Sequence, residues 1–319
     1  MPPAAASSAQ PGRRSRIFTR LCPKRWSSGE LPKVKLPDVP LVLAGALGGP
    51  FVIFTLTPLR NALTLASQDQ DVTSFELYQR TFQNGFCAGW TGGWACVIPA
   101  CPQFIMLGPL WHLINDTFGS ALIACVCSAL AETLISYGSQ TLNSQLAFNA
   151  EQTALGGATI ALHNPFIPFG PGVTIHILRN IVNLTGIRVL STPCNRVLTA
   201  LARRTGIRAS PRAISVVADF TAPMISAIFS GTFHQLYNFA VTSPLYMDSR
   251  SSDKFSQLMS FLTDFYLLHG EGGEIIGLSP TLGRDLFMRC VYVGTLMLLF
   301  QCIEKIAVLL WAKRKQPAA

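Results

Sequence analysis

The chain has 319 residues, of which 49% are apolar and only 13% charged, with a formal net charge of +9 and a mean hydropathy of +0.36. So little charge among so much apolar residue excludes an ordinary soluble single-core domain and points to membrane residence. The positive charge does not make a nucleic-acid binder, because no aromatic-basic groove or known module accompanies it, and basic loops flanking membrane helices explain it better.

Residues 1–37 come first and differ in kind: Arg13, Arg14, Arg16, Arg20, Lys24 and Arg25 precede the first acid, Glu30, among Ala, Ser and Pro. They read either as a mitochondrial targeting segment or as a basic arm lying on anionic lipid or a partner. Apolar stretches then recur over about 38–67, 92–115, 118–148, 221–247 and 286–311, several of them near the roughly 20 residues a membrane-spanning helix needs. In the first, Gly45, Gly48 and Gly49 predict close helix packing and Pro58 predicts a bend. Residues 75–82 predict a short amphipathic helix, and a Gly-rich turn with Trp90 and Trp94 opens the second span.

The third stretch carries Glu132, to be read as a proton or cation site or as a carboxylate bonded to a nearby Ser, Thr or Arg. The region after Pro193 holds Arg196, Arg203, Arg204 and Arg208, which predicts a shortened, cavity-lining or partner-covered fourth span. In the last stretch Arg289 is the sole charge from Leu286 to Phe300, expected to face a cavity or, preferably, an acid such as Asp285. Lys313, Arg314 and Lys315 end the chain in a basic tail over residues 313–319.

No enzyme chemistry is visible. The nine cysteines show no metal-ligand spacing and the five histidines no Ser-His-Asp order or His-Glu-x-x-His, so no metal and no catalytic group are expected. The GGPF, NPFIPFGPG and GEGG segments lack the lysine of a phosphate loop.

A helix, amphipathic stretch, Gly turn and second helix recur in order over residues 38–115, 116–219 and 220–312, three copies of near one hundred residues. Pro58-Leu59, Gly85, Trp90 with Gly92, and Pro102 in the first copy, then Glu271-Gly272, Gly277-Leu278-x-Pro280 and Arg284 in the third, resemble the repeat of the mitochondrial carrier family. The second copy keeps Tyr137 and Gly186-Ile187-Arg188. The resemblance implies an all-α membrane protein of six tilted transmembrane helices in three pseudo-symmetric helix-loop-helix repeats, located in the mitochondrial inner membrane, with room for a bound phospholipid such as cardiolipin and no other cofactor.

The same resemblance implies gates of paired acids and bases, and here they are missing. The positions matching one gate hold Pro58, Arg60 and Leu63, then Gly138, Gln140 and Asn143, then Asn238, Ala240 and Ser243. Of the three levels at which the family reads its solute, matching Pro99, Ala200 with Leu201, and Arg284 with Asp285, only the third is charged. Arg284, helped by Arg204, is thus either a site for an anionic solute or a structural partner of Asp285 or a lipid headgroup. The favoured expectation is a carrier-fold protein that no longer transports and serves as an accessory subunit of a respiratory-chain or ATP synthase complex. The alternatives are a divergent transporter of an anionic metabolite and, as a minor reading, a carrier-derived insertase.

Overall fold

The computed structural model describes residues 38–207 and 209–315, so the N-terminal basic segment, Arg208 and residues 316–319 lie outside the described part. The chain is almost wholly helical. Its first rod joins α1 (Val39–Leu43), a π-helical turn (Ala44–Gly48), α2 (Gly49–Thr55) and α3 (Thr57–Leu65), with a 50° bend between α2 and α3. Pro58 supplies the bend: it has no N–H for the Phe54 carbonyl one turn earlier. That carbonyl is instead satisfied by the Trp90 indole N–H at 2.9 Å.

After α4 (Ser74–Arg80), N-capped by the Thr73 hydroxyl, and a 3-10 turn (Phe86–Trp90), the second rod is α5 (Gly93–Phe118). The third is α6 (Ala121–Leu155), N-capped by Ser120. The fourth continues from α7 (Val173–Thr185) through a second π turn (Gly186–Leu190) into α8 (Ser191–Thr205). The fifth is α9 (Pro211–Thr242), N-capped by Ser210. It is followed by α10 (Pro244–Asp248), α11 (Ser251–Tyr266) and a small antiparallel hairpin, β1 (Leu267–His269) with β2 (Ile275–Leu278), Leu267 lying opposite Leu278. The sixth rod is α12 (Pro280–Lys315).

Each rod packs against the next in chain order, and α12 closes on α1, α2 and the first π turn, so the six rods form a ring. The longer connections, with α4, α10, α11 and the hairpin, gather at one end, called here the loop end. Among the described residues four helices are long and apolar enough to cross a membrane, within Phe86–Phe118, Ala121–Leu155, Ala213–Thr242 and Pro280–Ala312, and the bent first rod makes a fifth. The fourth rod is not among them: Arg179, Arg188, Arg196, Arg203 and Arg204 interrupt it. Large apolar side chains such as Leu47, Phe51, Ile98, Leu134, Phe229 and Phe287 face outward, while many Asn, Gln, Ser, Thr, His and Arg side chains are buried in the interior beside its apolar clusters. That inversion of the soluble pattern suits lipid around the ring.

Glycines set the closest approaches. A Cβ on Gly45 would stand 3.1 Å from the Ile105 backbone nitrogen, and one on Gly49 would stand 2.7 Å from the Phe104 ring, so the first two rods meet nearly backbone to backbone. Gly138, where a hinge proline is expected by resemblance, instead receives the 156–172 loop: a Cβ there would collide with the Pro165 and Ile167 carbonyl oxygens. Gly138→Val is therefore expected to expel that loop, costing about 2–4 kcal/mol. A thermal-unfolding shift together with new protease cleavage within 156–172 would register it.

Candidate functional site

Between the rods lies a cavity of about 150 Å³. All six rods line it, through Arg60 on α3, Cys96 and Gln103 on α5, Glu132 and Gln140 on α6, Arg179 and Asn183 on α7, His234 on α9 and Arg289 on α12. Arg60, Arg179 and Arg289 are each about 95% buried, and Glu132 is the one carboxylate among the lining residues. Guanidinium does not deprotonate at ordinary pH. With the histidines neutral, the cavity therefore carries two positive charges in excess, a costly arrangement in a membrane interior unless an anion joins it.

The three arginines are held very differently. Arg60 donates to Cys96 Sγ at 2.8 Å and, at the long limit of 3.5 Å, to the Gln140 carbonyl. Arg179 is bonded on every nitrogen: to Asn180 Oδ1 at 2.9 and 3.2 Å, Gln140 Oε1 at 3.0 Å, His176 Nε2 at 2.8 Å and His234 Nδ1 at 3.3 Å. Its guanidinium also lies 5.2 Å from the Tyr237 ring centroid. The Arg289 guanidinium lies 5.5 Å from the Tyr292 ring centroid and donates no hydrogen bond among the described residues.

Because Arg179 can only donate, the facing nitrogens of both histidines must accept, and each ring then carries its proton on the other nitrogen. His176 Nδ1 lies 3.3 Å from Thr133 Oγ1, which can accept from it, and 3.2 Å from the Asn180 side-chain amide nitrogen. His234 Nε2 has no partner and is buried, so it is a free donor on a cavity-lining residue. Glu132 accepts from Gln103 Nε2 at 2.9 Å, and among the described residues no cation reaches it within 4 Å. The site thus offers free donors at Arg289 and His234, partly free ones at Arg60, and a carboxylate tied to a neutral amide.

Toward the loop end the cavity is closed by a belt of neutral hydrogen bonds, and the positions matched to the family's gate fall in or beside it. Asn143 donates to Asn61 Oδ1 at 3.0 Å and Asn238 to the Leu63 carbonyl at 3.1 Å. Gln68 donates to Thr242 Oγ1 at 2.7 Å, Gln145 to the Val241 carbonyl at 3.0 Å, and Thr141 bonds Tyr237 at 2.9 Å. Leu63 and Ala240 are fully buried, and Ser243 caps α10. Arg60 and Gln140 belong to the cavity floor.

Arg284 and Arg204 do not meet. Arg284 sits at the loop end, donating to Asp285 Oδ1 at 2.9 Å and to the carbonyls of Ala66, Asp69 and Val72 at 2.8–2.9 Å, just past the C-terminus of α3. Asp285 also accepts from the Tyr266 hydroxyl at 3.0 Å. Arg204 is exposed near the far end of α8. The expected Arg289–Asp285 pair does not form, because Arg284 and Tyr266 already fill the carboxylate and leave Arg289, one turn on, to the cavity. Arg179 and His234 were not legible as site residues, although His176, Arg179, Asn180 and Asn183 stand at the i, i+3, i+4, i+7 spacing of one helix face.

No family model and no curated protein matches this chain.

Proposed function

We propose that this chain binds a small anionic solute within a ring of membrane helices and carries it across the bilayer, on the six-helix, three-repeat plan that its sequence resembles and, as that resemblance implies, in the mitochondrial inner membrane. The observation that carries the reading is the convergence of Arg60, Arg179 and Arg289, from three different rods, on one central cavity with a single carboxylate. Buried cations without acids need an anion, and guanidinium donors suit carboxylate and phosphate oxygens. The ring closed rod on rod, with connections grouped at one end, is in keeping with the plan.

Arg289 is the test residue, since it bonds nothing but contributes a full charge. In liposomes holding the purified chain, exchange of phosphate, sulfate or short dicarboxylates is expected, and Arg289→Gln is expected to slow it by on the order of a hundredfold. A folded wild-type protein that moves none of these anions would sink the transport reading.

One observation favours the second reading, an accessory subunit of a mitochondrial membrane complex. The belt that closes the loop end contains no ion pair among the described residues, and its buried amides and hydroxyls, several of them bonded to backbone, read as a permanent seal. Native purification decides this alternative: a fixed stoichiometry with other subunits supports it, and a free chain counts against it.

A further inference from the structure

We infer that Glu132 sets the valence of the anion that the cavity accepts, matching the site to a compact dianion. The inference rests on the anion-binding reading above. Three guanidiniums face the cavity from α3, α7 and α12, and the two histidines that accompany Arg179, His176 and His234, accept hydrogen bonds from it and so stay neutral. Against them stands Glu132 on α6, hydrogen-bonded to Gln103 of α5 and with no cation within 4 Å among the described residues.

A carboxylate placed there makes no hydrogen bond to the arginines, whose donors go elsewhere. Its effect on a bound solute is long-range repulsion, which scales with the solute's charge. With Glu132 ionised, a dianion brings the cavity to neutrality, a monoanion leaves one positive charge in excess, and a trianion leaves one negative charge. In a low-dielectric interior the neutral combination is favoured. Size restricts the solute further: a cavity of about 150 Å³ is of the size that holds one small organic molecule. The accepted class is therefore a compact dianion such as sulfate, hydrogen phosphate or a short dicarboxylate.

Sulfate and perchlorate, tetrahedral anions of similar size and different charge, separate valence from shape. Binding of each to the full chain in detergent would be measured by calorimetry at fixed pH. Glu132→Gln keeps the hydrogen bond with Gln103 but removes the charge, and is expected to tighten sulfate on the order of tenfold and perchlorate only about threefold, the logarithms standing in the two-to-one ratio of the charges. Glu132→Asp keeps the charge on a shorter stem and is expected to preserve the wild-type preference even if the Gln103 bond is lost. Equal changes for the two anions in Glu132→Gln, or loss of the preference in Glu132→Asp, would overturn the assignment while leaving the arginine site standing. If wild type binds neither anion and Arg289→Gln changes nothing, the anion-binding reading and this inference fall together.

Discussion

Arg179→Leu is expected to lower the unfolding free energy by about 3 kcal/mol, because the loss strands several buried acceptors at once. Asn180 Oδ1, Gln140 Oε1, His176 Nε2 and His234 Nδ1 all accept from this guanidinium, and all but the half-buried Gln140 belong to buried residues. Arg289→Leu should behave in the opposite way. It removes a buried cation that satisfies no acceptor, so stability is expected to hold or rise by about 1 kcal/mol, while anion binding disappears. Thermal unfolding in detergent, with and without sulfate, measures both. Sulfate should raise the wild-type midpoint and leave that of Arg289→Leu unmoved. Comparable destabilisation by the two substitutions would contradict the division into a structural and a ligand-facing arginine.

The second large effect is expected at Arg284. Its side chain lies across the end of α3, donating to the Ala66, Asp69 and Val72 carbonyls, and it neutralises Asp285, which is 1% exposed. Arg284→Leu removes a helix C-cap, uncovers those carbonyls and leaves Asp285 with only the Tyr266 hydroxyl. The expected cost is about 3–5 kcal/mol, the range for breaking a buried pair from one side. Arg284→Leu combined with Asp285→Leu should recover part of this, since no unpaired carboxylate then remains, and the double-mutant cycle is expected to show a coupling of about 1–3 kcal/mol. Chemical denaturation of the four variants gives that number directly. If Arg284→Leu leaves stability intact but abolishes anion flux, Arg284 serves the solute and not the first rod.

Much of the architecture was legible before any coordinates. The apolar stretches near 92–115, 118–148, 221–247 and 286–311 each coincide for most of their length with a long helix, and the bend near Pro58 lies where a proline within an apolar run requires it. The amphipathic segment read at 75–82 corresponds to Ser74–Arg80. These features are local: a lipid-crossing helix needs length and apolar composition, and a missing N–H breaks a turn wherever it stands. The fourth rod was harder, since its arginines hide a continuous helical path from Val173 to Thr205 from any reading based on hydropathy.

The site was far less legible. Arg60 stood at a degenerate gate position, Arg289 looked like a partner for Asp285, and Arg179 was an unremarked residue of a polar helix; nothing in their spacing along 230 residues says that they share one cavity. Arg284 and Arg204, chosen by position within a resembling repeat, lie apart because the first is consumed by carbonyls of the first rod and the second faces outward. The sequence by itself determined that the chain is helical, apolar enough for a membrane and bent at Pro58, since composition and backbone chemistry act over one or two turns. Only the tertiary structure decided which cations are spent on protein acceptors and which remain free for a ligand. Hydrogen bonds between distant rods make that allocation, and their partners lie tens to hundreds of residues apart.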